Sequence, residues 1–230
     1  MHAALLHILH GDPDVTELPN RLGNGLPGAT AGQTRYLDGR TINYGVLAGE
    51  ITDEKDVPVV GSEDIHTERD EVTRRVKASY HADLEAGWAG ADSSDGTRLL
   101  ADYLISSAGV IPKDSEIRLD EFVGDLTESA RVNGVVYSQP MDDGYPEDAA
   151  GSAWHDAVDT DDIPAEGVSA LAVTYNWDGL LVDAMLAKSG YVAVYSDAWA
   201  TEAFARWVAE EVEPYLQYAT DDQQTLGGGE

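Results

Sequence analysis

Residues 168–195 read VSALAVTYNWDGLLVDAMLAKSGYVAVY, and the fold is decided by how this stretch is read. Asp178-Gly179 is the strongest short hairpin signal, because a two-residue turn of this kind needs positive φ at both central positions. Before the turn, Leu171, Val173, Tyr175 and Trp177 alternate onto one face. After it, Leu180, Val182, Ala184 and Leu186 do the same. Gly190 breaks the chain, and Tyr191 to Tyr195 reads as a third strand. Ser196 or Asp197 then suits a helix N-cap. Phe204, Trp207, Val208, Val212 and Tyr215 fall on one face of the helix that follows. A curved sheet covered by a long C-terminal helix is the simplest way to bury both surfaces.

Composition bounds the rest. The chain has 230 residues and 43% apolar residues, enough for a real core, which excludes wholesale disorder. The net charge is −29, from 26 Asp and 17 Glu against 4 Lys and 10 Arg. That balance resembles cytosolic proteins of extreme halophiles, especially haloarchaea, which work in molar potassium chloride. At molar salt the Debye length falls to roughly 3 Å, so self-repulsion is screened while carboxylates hold water at the surface. The excess is uneven. Residues 1–109 carry 9 basic and 18 acidic side chains, and residues 110–230 carry 5 and 25. With no cysteine, disulfides, thiolate nucleophiles and Cys-based zinc sites are excluded. No signal-peptide pattern opens the sequence, and no apolar run approaches a membrane span. The expectation is a protein of the cytoplasm, or a virion component, with no membrane role and a high-potassium environment.

Along the chain, Ala3 to Leu9 is apolar and reads equally as strand or helix. A short helix is expected from Asp14 to Leu22 and a loop over 23–32. Asp38-Gly39 marks a second hairpin. Residues 48–71 read as a polar excursion with a short strand at Val57 to Val60. Val72 to Leu84 is a long strand, Trp88 to Ala91 another, and Ser94 or Asp95 caps a helix bearing Leu99, Leu100, Tyr103 and Leu104. Further expectations are a helix over 120–129, strands at 132–138 and 153–158, acidic loops at 139–151 and 159–167, and a frayed tail from Thr220.

The order strand, Gly, strand, helix occurs twice, over 76–104 and 180–208, with Gly87-Trp88 answering Gly190-Tyr191. The chain is therefore either one compact α+β domain or two similar halves, 1–112 and 113–219, followed by the tail 220–230. The second layout resembles folds made of two curved-sheet-plus-helix halves, as in the TATA-binding-protein-like class. That resemblance covers arrangement only, and implies no residue role.

Four constellations carry candidate chemistry. His2, His7, His10, Asp12 and Asp14 are metal-ligand types; His7 and His10 would share a helix face but not a strand face, and Asp12 is the nearest third ligand for a divalent metal. His81 and Asp83, near Ser93 and Ser94, could orient an imidazole, against a plain polar strand face and helix cap. His155 and Asp156 lie in the most acidic region. Arg69, Arg74, Arg75 and Lys77 put four positive charges within nine residues, suited to a phosphate, a nucleic-acid backbone or an acidic partner, or to their own neighbours Glu68, Asp70 and Glu71. Trp199 precedes the helical stripe and is a candidate contact residue. No phosphate loop, dinucleotide fingerprint or helix-turn-helix pattern is present. The leading expectation is a non-catalytic binding or assembly protein of a halophilic archaeon, or of a virus or plasmid living in one, acting through protein–protein contacts or self-association. The alternatives are a metal-dependent hydrolase at the N-terminal histidines and a nucleic-acid-associated regulator using the basic cluster, the latter disfavoured by charge.

Overall fold

Everything pairs outward from the first strand. The computed structural model describes residues 1–22, 27–35, 39–60, 65–126, 129–138, 150–158, 168–196 and 199–219. The ambiguous apolar run is β1, His2–His10. With β2 (Gly28–Arg35), β3 (Thr41–Val60), β4 (Ile65–Asp83) and β5 (Trp88–Ala91) it builds one flank of a sheet ordered β2-β3-β4-β5-β1. The helix α1 (Ser94–Ala108) and the strand β6 (Ile111–Ile117) follow, then the short helix α2 (Leu119–Gly124). The other flank runs from β1 through β11 (Tyr191–Val194), β10 (Leu180–Ala187), β9 (Val168–Trp177) and β7 (Arg131–Ser138) to β8 (Ala150–Val158). The pairs are antiparallel throughout, and β1 takes Trp88 opposite Ile8 on one side and Tyr191 opposite Leu5 on the other. Strands from both ends of the chain thus share one continuous sheet.

Side-chain alternation sends successive residues to opposite faces, and two cores result. Ala4, Leu6, Ile42 and Trp88 join Leu171, Val173, Val182, Val192, Phe204 and Trp207 on one face. Leu9, Leu47, Ala89 and Ala91 join Leu99, Leu100, Tyr103 and Leu104 of α1 on the other. Each fully buried Leu or Val contributes roughly 1.5–3 kcal/mol. The Ser93 hydroxyl accepts from the Gly96 amide and caps α1, one residue earlier than expected, and Gly109 closes it with φ +69°. Asp178 and Gly179 adopt φ of +48° and +77°, as the tight β9–β10 turn requires.

The expected long C-terminal helix is absent. Thr201–Trp207 is α-helical (α3), Val208–Val212 widens into a π turn, and Glu213–Tyr215 is a single 3-10 turn before β12 (Leu216–Tyr218) pairs with β6. The stripe Phe204, Trp207, Val208 and Val212 is buried as its spacing demands, but both ends are cut short. Ala200 is extended, because Trp199 is drawn into the core, where its ring stacks 5.6 Å from Trp177 and its indole donates to the Leu181 carbonyl. At the other end Pro214 cannot donate to the helical ladder. Asp197, one of the two cap candidates, lies outside the described residues.

Three further expectations are corrected. The helix over 14–22 does not form; Pro13 and Pro19 bracket an irregular segment, and the amide of buried Leu18 donates to Asn43 Oδ1 at 2.8 Å. Part of the loop over 23–32 is strand β2 from Gly28 onward. The helix over 120–129 is only α2. The loops at 139–149 and 159–167, the tip of the Asp38-Gly39 turn at Asp38, and the tail from Thr220 lie outside the described residues. No helix among the described residues is long and apolar enough to cross a membrane.

Candidate functional site

The polar excursion expected over 48–71 is a ribbon. β3 and β4 hold one uninterrupted register of nineteen pairs, from Ile42 opposite Asp83 to Val60 opposite Ile65. β2 accompanies β3 only as far as Ala48, and β5 meets β4 only at Tyr80 to Asp83. Twelve pairs, Gly49 with Val76 to Val60 with Ile65, therefore outrun both neighbouring strands. At about 3.4 Å per residue they reach roughly 40 Å.

The base of the ribbon is braced by α1. Gly49 leaves room for Leu99, whose Cδ2 would lie 2.7 Å from any Cβ there. Arg74 bonds Asp95 at 2.6 Å and Asp53 at 3.0 Å, and Arg98 reaches Asp53 at 2.5 Å. The Arg98 hydrogen bond, with lesser help from the Arg74 and Lys55 charges, holds the Asp53 carboxyl below its ordinary range. Beyond Asp53, the seven pairs from Glu54 with Glu71 to Val60 with Ile65 have no strand on either edge among the described residues. An isolated two-stranded ribbon is marginal in water, and its two edges present unused backbone donors and acceptors. Alternation along this arm is charged near the body, with Glu54, Lys55 and Asp56 opposite Glu71, Asp70 and Arg69. Its last four positions on β3 are Val57, Pro58, Val59 and Val60.

The basic cluster lies on this ribbon, and its arginines are already paired. Arg69 meets Glu54 at 3.6 Å and Asp56 at 3.8 Å, Arg75 meets Glu50 at 3.3 Å, and Arg74 serves the brace. Lys77 is exposed near the body. The three arginines form a ladder of ion pairs, not a concentrated positive face.

The other candidates do not converge. β1 is a strand, so His7 and His10 point to opposite faces. His7 is buried 3.5 Å from Asp114, and burial lowers its pKa against the pull of that carboxylate. His10 and Asp12 are exposed. Among the described residues no three His, Asp or Glu side chains are placed to hold a metal ion. Trp199 is 5% exposed and belongs to the core, not to a contact surface. Asp83 accepts the amides of Glu85 and Ala86 and thereby shapes the β4–β5 turn. His81 is buried, with neither ring nitrogen hydrogen-bonded, edge-on to Phe204 at 5.2 Å. The side chains of His155 and Asp156 lie outside what the structure describes. The continuity of the ribbon escaped the sequence reading. A local signal lay in the facing threonines Thr52 and Thr73, which bond at 2.8 Å.

No protein-family model matches the chain, and no curated protein matches it.

Proposed function

We propose that this chain is a non-catalytic binding or assembly protein that engages a protein partner, or a further copy of itself, through the β3–β4 ribbon. The observation that carries this reading is the unsupported length of the ribbon, seven residue pairs beyond the brace of α1. A two-stranded arm gains stability when another chain pairs with an edge or packs on a face. The charge of −29 fits a partner met in molar potassium chloride, in a haloarchaeal cytoplasm or a virus living there. The internal pairing of Arg69, Arg74 and Arg75 favours a protein partner over a nucleic-acid backbone.

The test compares the full chain with a variant in which residues 54–71 are replaced by Asn-Gly, a turn that rejoins Asp53 to Val72. Light scattering after size exclusion in molar potassium chloride, and capture from a high-salt extract, are the readouts. The full chain is expected to form a defined oligomer or to retain a partner that the shortened chain loses. Identical behaviour of two folded chains overturns the proposal.

A further inference from the structure

A cavity of about 370 Å³ opens at the end of β9, between the β9–β10 turn, the end of α2 and the π turn. Strand alternation places Tyr175 and Trp177 side by side on the face beneath the helical segment. In an α-helix the consecutive residues Glu210 and Glu211 would diverge by about 100°. The wider π turn brings both carboxylates onto β9. Trp177 Nε1 donates to Glu210 at 2.8 Å, and the Tyr175 hydroxyl donates to Glu211 at 3.3 Å. The buried indole of Trp207 donates to the Tyr175 oxygen at 2.7 Å, which turns the phenolic hydrogen toward Glu211. Across the cavity the Tyr215 hydroxyl donates to Asp125 at 2.9 Å, with Phe122 edge-on to the Tyr215 ring at 5.3 Å.

These walls already hold one guanidinium. Arg206, on the rim, lies 5.1 Å over the Trp177 ring and bonds Asp178 and Glu210, each at 3.2 Å. Asp178 and Glu210 share this guanidinium, while Glu211 and Asp125 accept from the Tyr175 and Tyr215 hydroxyls. Arg118, the other cation near Tyr215, is paired with Glu121, so the cavity keeps an excess of negative charge. Burial, reinforced by Glu210, pushes the Glu211 carboxyl above its ordinary range, so a second cation would be held more firmly there than at an open surface. In molar potassium chloride the competitor is the potassium ion. Guanidinium is weakly hydrated and planar, lies flat on aromatic rings and forks onto carboxylates, so it can displace a simple cation from such walls. The volume lies within the range of small-ligand pockets.

We propose that this cavity receives an arginine side chain presented by a protein partner. The site is independent of the ribbon, and either reading can fail without the other. Acetyl-arginine amide, titrated into the full chain in molar potassium chloride and followed by tryptophan fluorescence and calorimetry, is expected to bind saturably. Its uncharged isostere, acetyl-citrulline amide, is expected not to bind. Glu211→Gln, which keeps the side-chain shape, should weaken binding about tenfold, and Asp125→Asn, at an exposed position, several-fold. Equal binding of the citrulline compound, unchanged affinity in both folded variants, or a response that added potassium chloride reproduces (an adventitious ion only) overturns the proposal. A free arginine amide that binds while arginine-bearing peptides of the form Gly-Arg-Gly are excluded would also overturn it, since a partner's side chain must enter on a backbone.

Discussion

Tyr44 of β3 donates its hydroxyl to Glu202 in the first turn of α3, at 2.8 Å, although 158 positions separate them in the chain. The bond ties the flank that carries the ribbon to the helical segment that covers the other flank. The Glu202 carboxyl is held below its ordinary range by its own backbone amide first and by Tyr44 second.

Tyr44→Phe removes that second contribution. A hydrogen bond of this kind adds about 1 kcal/mol, so the denaturation midpoint in molar salt should fall by a corresponding amount. The sign with pH follows from the depressed carboxyl: its stabilisation is complete above the unfolded pKa and is lost as pH falls through the folded one. The variant should therefore lose less stability on acidification than the parent, which denaturant titrations in the acid range will read.

His81 gives a second pH signature. Burial, then the neighbouring His2 charge, lowers its pKa to about 4, with Glu202 opposing. The folded state disfavours the imidazolium, so stability is complete above about 6.5 and declines as pH falls toward 4. The loss is on the order of 3 kcal/mol. His81→Leu should flatten that part of the profile and be neutral or stabilising at pH 7, because it removes two buried nitrogens that lack partners. A steeper acid limb in the variant would contradict this.

Trp199→Ala should cost about 3–5 kcal/mol. The ring is 5% exposed and lies between Trp177 and Trp207 at 5.6 and 6.0 Å. Thermal unfolding is the measurement. A contact residue on the surface would leave the midpoint where it is.

Arg74→Ala should act locally. It releases Asp95 and Asp53 together, and its expected cost is about 1 kcal/mol, as for other half-exposed ion pairs. Amide exchange should quicken along Thr52 to Thr73 while the core strands keep their protection.

Gly190→Ala tests the junction where β11 gives way to β6 along one edge of β1. Gly190 has φ +84°, and a Cβ there would lie 2.9 Å from the Leu6 carbonyl oxygen and 3.0 Å from Ser115 Oγ. The backbone cannot recede without breaking the Leu6 amide bond to the Gly190 carbonyl. Loss of more than about 2 kcal/mol is expected, by the mechanism of a left-handed position denied its glycine, and equilibrium unfolding will measure it.

Local periodicity made much of this architecture legible. The β9–β10 hairpin, the apolar sides of α1 and α3, and the strand following each of Gly87 and Gly190 follow from spacing and turn chemistry that act within a few residues. What escaped depends on distant partners. β1 could have been helix or strand until Trp88 and Tyr191 took its two edges. The late start of the C-terminal helix goes with the packing of Trp199 on Trp177, which no window of sequence displays. The ribbon was hidden for another reason: its strands carry charge on both faces, so the alternation that marks a half-buried strand is missing there. Among the candidate residues, the arginines drew notice by type, and their partners Glu50, Asp53, Glu54 and Asp95 showed only after folding.

The placement of β1 has a consequence for the timing of synthesis. Leu5 waits for Tyr191, 186 positions later. At ribosomal rates of about 5–20 residues per second, the first half of that edge, His2 to Leu5, stays bare for roughly 10–40 s, while β6 can pair His7 to His10 sooner. The nascent chain must pass this interval with an apolar edge on display. Whatever shields that edge, whether a chaperone or the chain's own acidic middle, stands between translation and a finished sheet.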